Sequence, residues 1–284
     1  MIIRKLSDKK LNIVLIQGSP RDKDTCPGMT GKTKMIADYI VDKWSTFINF
    51  KIIDLSVNLD KSPIVQPCKG CVSTAGGIHC HYPCSCYYKG DKKHTDLLHE
   101  LNVYEYLKTC DAFIILSPIH WHSLSSQIKT FFDRLVCCNL SLSIDDARKI
   151  LGDNIKNPNI TGKLYKSGKY NDLLRNHLDG KVAAFYVHGD NGSDDYSDGN
   201  LPDSYSGVID DGFQNNPNAV VSPFVMQLKY SGIYVPDELI QAFYINTDVD
   251  YYTANLTFKK NKEFYDRADL LMNNLLSYFE NLKN

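Results

Sequence analysis

The stretch "AFIILSPIHWHSLSSQIKTFFDRLV" (residues 112–136) joins an apolar run to an amphipathic helix through a loop of proline, aromatic and imidazole side chains. The run at 112–117 is typical of a strand that is buried on both faces of a parallel sheet. Ser125 or Ser126 can cap the helix, whose inner face carries Ile128, Phe131, Phe132 and Leu135. This order predicts an α/β fold in which the loops at the strand ends carry the function.

The same alternation of strands and helices continues along the chain. Further strands are predicted at 11–16, 50–55, 181–189 and within 232–246, and helices at 32–44, 95–108 and in a last segment from about Phe264 to Phe279. Alternation of this kind predicts a parallel sheet with helices on both faces. Two polar insertions, at about 139–180 and 190–222, interrupt it, and the second is loop-like. With a further insertion at about 67–91, we expect one domain over residues 1–284.

Composition excludes several classes of function. The formal net charge is -1, and the lysines and arginines are spread along the chain, so no nucleic-acid partner is expected. No apolar run reaches the roughly 20 residues of a membrane span, and the start does not resemble a signal peptide, so we expect a cytoplasmic protein without a membrane partner. In a reducing compartment, nine cysteines indicate core thiols, metal ligands or redox groups.

The loop after the first strand, "GSPRDKDTCPGMTGKTK" (18–34), has the composition of a phosphate-binding loop. It offers hydroxyl groups, close backbone approach at Gly18 and Gly31, positive charge, and the start of a helix whose free N–H groups attract anions. A nucleotide-triphosphatase P-loop needs a glycine where Cys26 stands, which disfavours that alternative. A purely structural loop between strand and helix remains a second alternative.

The loop after the third strand suits a flat heterocycle. The rings of His120, Trp121 and His122 can lie against a planar group or bond to its edge, and Pro118 shapes the turn. After the fourth strand, "HGDNG" (188–192) is a glycine turn that can close on the same ring. The alternative is that Trp121 is buried core and the histidines are ordinary surface residues. Together, the three loops predict a mononucleotide site.

At these residues the sequence resembles the flavodoxin-like family of NAD(P)H-dependent FMN reductases. The likeness rests on "GSPR" followed by "GKT", on "SPIHW" running into "SSQIKTFFDRL", and on the strand at 181–189. It implies a doubly wound five-stranded parallel sheet of order 2-1-3-4-5 with FMN at the switch point. It further implies that the phosphate is held by Ser19, Arg21, Lys32 and Thr33, and that the ribityl chain and isoalloxazine are contacted by Pro118, Ile119, His120, Trp121, His122 and Gly189. The sequence departs from the family pattern around Asp24 to Met29, where it has about six extra residues.

The segment "PCKGCVSTAGGIHCHYPCSCYYKGD" (67–91) resembles the cluster-binding motif of iron-sulfur flavoproteins. The resemblance implies a [4Fe-4S] cluster over the flavin edge, with four cysteine ligands: Cys68, Cys71, Cys80 and Cys86. Zinc, with Cys84 or a histidine as a competing donor, and unligated thiols are the alternatives. The remaining Cys110, Cys137 and Cys138 are expected to pack in the core.

The resemblance implies an FMN-dependent oxidoreductase reduced by NADH or NADPH. Its reduced flavin would pass electrons to an acceptor such as a flavin, a quinone, a metal ion or a protein. No residue is predicted to be catalytic, because hydride passes between stacked rings without a fixed acid or base. An electron carrier that uses no nicotinamide is the second hypothesis, and a flavin-free metal-binding or interaction protein is the third. By analogy with relatives, a homodimer is expected.

Overall fold

A computed structural model describes residues 10–21, 30–56, 65–87, 102–190, 217–245 and 261–282. The strands are β1 (Leu11–Gln17), β2 (Ile48–Asp54), β3 (Cys80–Tyr82), β4 (Ala112–His120), β5 (Ser123–Leu124), β6 (Ser141–Ser143), β7 (Val182–Asp190) and β8 (Ile240–Ile245). The helices are α1 (Lys32–Trp44), α2 (Val72–His79), α3 (Val103–Thr109), α4 (Ser126–Arg134), α5 (Ile144–Leu151), α6 (Pro158–Ser167), α7 (Pro217–Tyr230) and α8 (Lys262–Asn281). Short 3-10 turns lie at Leu135–Cys138, Gly152–Asn154, Asn171–Leu173 and Asp237–Leu239.

The main sheet has the order β2-β1-β4-β7-β8, and these five strands pair in parallel. This arrangement confirms the predicted order 2-1-3-4-5. The sheet is buried on both faces because its strands are apolar at successive positions. In β1, for example, Ile13 and Leu15 pack in the layer of α1 and α8, whereas Val14 and Ile16 pack in the layer of α3, α4 and α7. The predicted two-sided helical cover is therefore confirmed.

Helix α7 is an element that the sequence reasoning missed. The predicted loop-like insertion at 190–222 ends at residue 216, because the helix already begins at Pro217, and residues 191–216 lie outside the described part of the chain. Pro223 inside the helix is normally a breaker, since it removes one backbone hydrogen bond. Burial outweighs that cost, with four apolar side chains at most 4% exposed: Val220, Val221, Phe224 and Leu228.

The predicted insertion at 139–180 is folded and joins the cysteine-rich segment. Tyr82 of β3 pairs with Ser143 of β6, and Gly77 forms a bridge with Ser141. A small separate core lies beneath this pairing, made of Ile78, Leu142, Ala147 and Leu151. We call residues 65–87 and 139–178 together the cysteine module. The polar composition of 139–180 therefore reflects exposed helices α5 and α6, not an irregular loop.

The module is attached at the C-terminal end of α4. Arg134, only 1% exposed, donates from Nη1 to the carbonyl of Gln66 (2.9 Å), and its guanidinium lies over the ring of Tyr87. Tyr104 of α3 donates its hydroxyl hydrogen to the Arg134 carbonyl (3.1 Å). Nearby, three thiols are buried as predicted: Cys110, Cys137 and Cys138. Among the residues described, none of the helices is long and apolar enough to cross a lipid bilayer.

Candidate functional site at the carboxyl edge of the sheet

The loops that follow β1 and β4 meet at one edge of the sheet. The Gly18 N–H donates to the Leu116 carbonyl (2.9 Å), and the Ser125 hydroxyl donates to the Gly18 carbonyl. A side chain at Gly18 would clash with Ile128 of α4, so only glycine allows this close approach. The predicted phosphate loop and the predicted ring-binding loop therefore emerge on the same side of the molecule.

A buried glutamine organises the phosphate loop. Gln17, 1% exposed, accepts a hydrogen bond from the Ser19 N–H through Oε1 and donates from Nε2 to Asp54 at the end of β2 (3.2 Å). The Ser19 hydroxyl in turn accepts from the Arg21 N–H (3.3 Å). The loop packs closely against the start of α1, since a Cβ added at Gly31 would lie only 2.7 Å from the Ser19 hydroxyl oxygen. Sequence reasoning missed Gln17, although a polar residue that ends an apolar strand was a signal.

The start of α1 is electropositive. This 13-residue helix begins after Gly31, which has no side chain to cap it, and its first turn, all of it described, holds no acidic residue. The first turn instead carries Lys32 and Lys34. Basic residues are unfavourable there because the helix dipole already places partial positive charge at the N-terminus. An anion at this position would relieve both effects.

His188 links the end of β7 to the first turn of α1. Its Nε2 lies 3.1 Å from the hydroxyl oxygen of Thr33, and both side chains are buried. The imidazole also makes edge contacts with the rings of Tyr186 and Phe264. Burial, together with the nearby charges of Lys32 and His120, lowers the pKa of His188 to about 3. The hydroxyl of Thr33 is thus engaged by a neutral histidine that sequence reasoning assigned only to a turn.

His120 completes a group of basic side chains. Partial desolvation lowers its pKa, and the guanidinium of Arg21 adds to the effect. His120 in turn lies close enough to His188 to affect its titration, as Lys32 does. Four side chains, from the loop after β1 and from α1, β4 and β7, therefore influence one another electrostatically at this edge: Arg21, Lys32, His120 and His188. Arg21 and Lys32 carry the positive charge of this group, and the two histidines, whose pKa values are lowered, add neutral hydrogen-bonding groups. Such a group is suited to bind a phosphate.

Trp121 and His122 form the two-residue turn of a β4–β5 hairpin. The strands pair antiparallel, with Ile119 opposite Leu124 and His120 opposite Ser123. Both turn residues have left-handed backbones, with φ of 47° at Trp121 and 58° at His122. Such turns normally hold Asn or Gly, so two bulky residues here are strained. The side chain of Trp121 is 96% exposed, so the alternative that it is buried core is wrong.

Gly189 lies inside β7, not in the predicted glycine turn, because the strand continues to Asp190. It pairs with Tyr244 of β8, and a Cβ there would lie 2.6 Å from the Tyr244 ring and 3.2 Å from the Cβ of Ile119. Pro118 pairs with His188 on the same two strands. Gly189 therefore brings Ile119 and Tyr244 close together beside the cluster. The extra residues predicted around Asp24 to Met29 lie outside the described part of the chain.

The four predicted cluster ligands lie in the cysteine module, where the described residues show no metal centre. Among the described residues, no three or more His, Cys, Asp or Glu side chains are arranged to hold a metal ion. Cys71 lies beside Cys86, Cys80 is buried at the start of β3, and Cys68 lines a surface cavity next to α7. All four interact electrostatically with the thiol of Cys84. These described side chains thus show no arrangement that would hold a [4Fe-4S] cluster, and the assignment of four cysteine ligands stays a prediction.

The module also lies away from the predicted flavin edge. It contacts the C-terminal end of α4 through Arg134, whereas the N-terminal end of α4, at Ser125, touches the phosphate loop. Nine residues of helix separate the two ends, which corresponds to roughly 13 Å. The expectation that the cysteine segment folds over the flavin is thus not supported.

About half of the chain matches the sequence profile of a known protein family. The sequence profile described as NADPH-dependent FMN reductase matches residues 11–153. No curated protein matches the chain.

Solved structures show distant likeness. One is an NAD(P)H:quinone oxidoreductase from Methanothermobacter marburgensis (9% identity, 92% of this chain, 98% of that one, TM-score 0.45). Another is a putative quinone reductase from Klebsiella pneumoniae (12% identity, 95% and 85%, TM-score 0.44). A third is general stress protein 14 from Treponema denticola in complex with FMN (13% identity, 93% and 99%, TM-score 0.40). Similarities this distant assign no substrate.

Proposed function

Because the chain belongs to the NADPH-dependent FMN reductase family, we propose that it passes electrons from NADH or NADPH through bound FMN to a second acceptor. The acceptor would be a flavin, a quinone, a metal ion or a protein. The observation that carries the proposal is the cluster of basic side chains at the carboxyl edge of the sheet, beside the N-terminus of α1. This is the position at which an open parallel sheet binds a mononucleotide.

The described residues fit the phosphate of FMN. A phosphate monoester carries up to two negative charges near neutral pH, which matches a cationic site without an acidic residue in the first turn of α1. In the proposal, Arg21 and Lys32 supply charge, the Ser19 hydroxyl supplies a hydrogen bond, and Thr33 contributes its backbone N–H. The Thr33 hydroxyl acts indirectly, since His188 holds it in place.

The flat ring of FMN would lie beyond β4 and β7. Pro118, Ile119 and Gly189 form the apolar side of this position, and the hairpin turn brings three rings to its rim: His120, Trp121 and His122. The strained, exposed Trp121 has an open aromatic face that could stack on a planar ligand. Strain of this kind is commonly kept where a ligand contact requires it.

When bound, FMN supplies a centre that accepts hydride from a nicotinamide and releases the electrons to an acceptor. The chain's own residues bind the FMN and orient the two reacting rings. Arg21 and Lys32 anchor one end of the ligand, and the β4–β5 hairpin limits the slot in which two rings can stack. No side chain is required to transfer a proton at a fixed position, and we assign no catalytic residue.

FMN binding can be tested with a matched pair of lysine variants. Lys32 and Lys34 stand in the same turn of α1, but Lys32 acts on His188 whereas Lys34 pairs with Asp38 (3.0 Å). We expect Lys32→Gln to weaken FMN binding about tenfold, the scale of one charge-assisted bond to phosphate, and Lys34→Gln to change it less than about twofold. Titration of the full chain by flavin fluorescence measures both. Equal losses, or no FMN binding by the unchanged protein, would refute the site.

The electron donor is tested by anaerobic mixing of the FMN-loaded protein with NADH and, separately, NADPH. Rapid loss of flavin absorbance near about 450 nm with either donor supports the reductase. If neither donor bleaches the flavin but dithionite does, the carrier hypothesis is correct instead. We also retain as proposals the single domain over residues 1–284 and the homodimer, which analytical ultracentrifugation tests.

A further inference from the structure

We propose that Cys71 and Cys86 form a reversible dithiol–disulfide pair that exchanges with small disulfides, independently of the flavin site. The two Sγ atoms lie 2.9 Å apart, with the residues 15 positions apart in the chain. Two thiolates bound to one tetrahedral zinc ion lie roughly 3.8 Å apart, given Zn–S bonds of about 2.3 Å. A disulfide bond is about 2.05 Å long. The two sulfurs are therefore closer together than a pair of zinc-bound thiolates and about 1 Å from the bonded separation.

The surroundings of the pair favour a thiolate at Cys71. The Nζ of Lys156 lies 4.0 Å from its Sγ and is held in place by a hydrogen bond to the His79 carbonyl (3.2 Å). Cys86 hydrogen-bonds to the same sulfur and also to the buried Cys84, whose own charge would oppose a thiolate at Cys71. A nearby cation and a donated hydrogen bond both stabilise the charged form of a thiol. Cys71 is thus the attacking sulfur, and Cys86 is the resolving one.

Accessibility distinguishes this pair from most of the other cysteines. Cys71, Cys86 and Lys156 are all partly exposed, so a small reagent can reach them from solvent. Five of the other described thiols are buried: Cys80, Cys84, Cys110, Cys137 and Cys138. Cys68 is also partly exposed, but its sulfur accepts from the Gly70 N–H (3.4 Å) and lies at the surface cavity. It therefore provides a matched control.

The atoms and electrons of the exchange balance without a further oxidant or reductant. The Cys71 thiolate attacks one sulfur of a small disulfide, so that a mixed disulfide forms and one small thiolate leaves. Cys86 then loses its proton and attacks the Cys71 sulfur, which releases the second small thiolate. In total, two protein thiols and one small disulfide give one protein disulfide and two small thiols. The protein pair loses two electrons and the small disulfide gains them, and a small dithiol reverses both steps.

The test uses the full chain, purified without oxygen and analysed first for iron and zinc. Hydroxyethyl disulfide is added at pH 7, the reaction is quenched with acid, and remaining thiols are alkylated for peptide mass spectrometry. We expect a Cys71–Cys86 disulfide that is lost in Cys71→Ser. In Cys86→Ser, we expect the mixed disulfide to accumulate on Cys71. Cys68→Ser should react as the unchanged protein does.

Lys156 supplies a second readout, which a purely structural role would not give. A unit charge at 4.0 Å changes the ratio of thiolate to thiol by roughly fivefold even in water. Lys156→Gln should therefore slow the reaction of Cys71 at pH 7 by about that factor and raise its pH midpoint. Lys156→Arg should restore both.

Three results would overturn the proposal. The first is stoichiometric metal in the purified protein that protects Cys71 and Cys86 from alkylation. The second is preferential oxidation of another pair, for example one that includes Cys84. The third is reaction of Cys71 at the same rate and pH midpoint in the lysine variants. None of these results depends on FMN binding, so the pair and the proposed function can fail separately.

Discussion

The edge site and the cysteine module lie at opposite ends of one helix. Ser125, at the start of α4, bonds to the phosphate loop, whereas Arg134, at its end, holds the module. Each region buries a threonine hydroxyl against a histidine: Thr33 with His188 at the edge, and Thr161 with His79 in the module (2.9 Å). The edge places Lys32 and a second histidine, His120, near its buried histidine, whereas the module places one lysine beside paired sulfurs.

The difference shows how similar side chains acquire different chemistry. At the edge, the strand ends of a parallel sheet and a helix N-terminus bring positive charge to one point, which favours an anion. In the module, two added segments pair through β3 and β6 and place two thiols side by side. If the regions are independent, changes in one should leave the chemistry of the other intact.

The largest expected effect comes from two glycine substitutions. Gly77→Ala would drive a Cβ into the Leu140 backbone, and Gly18→Ala would drive one into Ile128. We expect losses in the free energy of unfolding of roughly 3 kcal/mol or more for Gly77→Ala and about 1–3 kcal/mol for Gly18→Ala. Urea unfolding measures both.

The two glycine variants should differ in function. Gly77→Ala should keep FMN affinity within about twofold while altering Cys71 reactivity, and Gly18→Ala should do the reverse. Gly162→Ala in α6, where a Cβ would meet no atom within 4 Å, is the control and should be neutral or slightly stabilising. Loss of both activities in either glycine variant would mean that α4 couples the two regions.

The next effect concerns the pH dependence of stability. Burial lowers the pKa of His188 to about 3 and that of His81 in the module to about 4. The unfolded chain binds these protons near pH 6.5, so stability is unaffected above that pH and falls as the pH drops towards the folded values. Each histidine should contribute about 1.4 kcal/mol per pH unit between pH 6 and 4.

His188→Gln and His81→Gln should each remove the binding of about one proton on unfolding, which lowers that slope by about 1.4 kcal/mol per pH unit. Urea unfolding at pH 4 to 8 measures the slope. Only His188→Gln should also change FMN affinity, because His81 lies in the module and bonds to the Ile78 carbonyl (2.9 Å). An unchanged slope in either variant would contradict the assignment of a buried neutral histidine.

A smaller effect is expected from the two threonines. Thr33→Val and Thr161→Val each leave a buried histidine nitrogen without its hydroxyl partner, which costs about 1–3 kcal/mol of unfolding free energy. Only Thr33→Val should weaken FMN binding, and only Thr161→Val should change Cys71 reactivity, through His79 and Lys156. Serine at either position retains the hydroxyl and should restore most of the loss.

The smallest effect is a gain in stability at the hairpin. Replacing Trp121 and His122 by Asn and Gly suits the left-handed turn and should stabilise the protein by about 1–2 kcal/mol. The same double variant should weaken FMN retention, because the exposed ring is removed. Retention that matches the unchanged protein, measured by gel filtration of the flavin-loaded chain, would exclude Trp121 as a ring contact. Cys84→Ser, in the module, is the control and should retain flavin.

Several features were predictable because they depend on local pattern. The apolar runs of β1, β4 and β7 and the capped, amphipathic α4 predicted the strand order and the edge at which Ser19 and His120 meet. Helix α7 was missed because Pro223 argues locally against a helix, whereas burial of its apolar side against the sheet is a tertiary effect. Local rules likewise gave no sign that residues 139–180 fold against the cysteine segment.

By itself, the sequence determined the parallel sheet, the cover of helices on both faces and the edge that carries the basic loops, because hydrophobic periodicity and strand order are properties of the chain. Only the tertiary structure decided which side chains meet. His188 reaches Thr33 across 155 positions, and Cys71 meets Cys86 while Cys80 enters the core. Packing between distant segments determines which side chains become partners, and residue spacing along the chain carries no information about that packing.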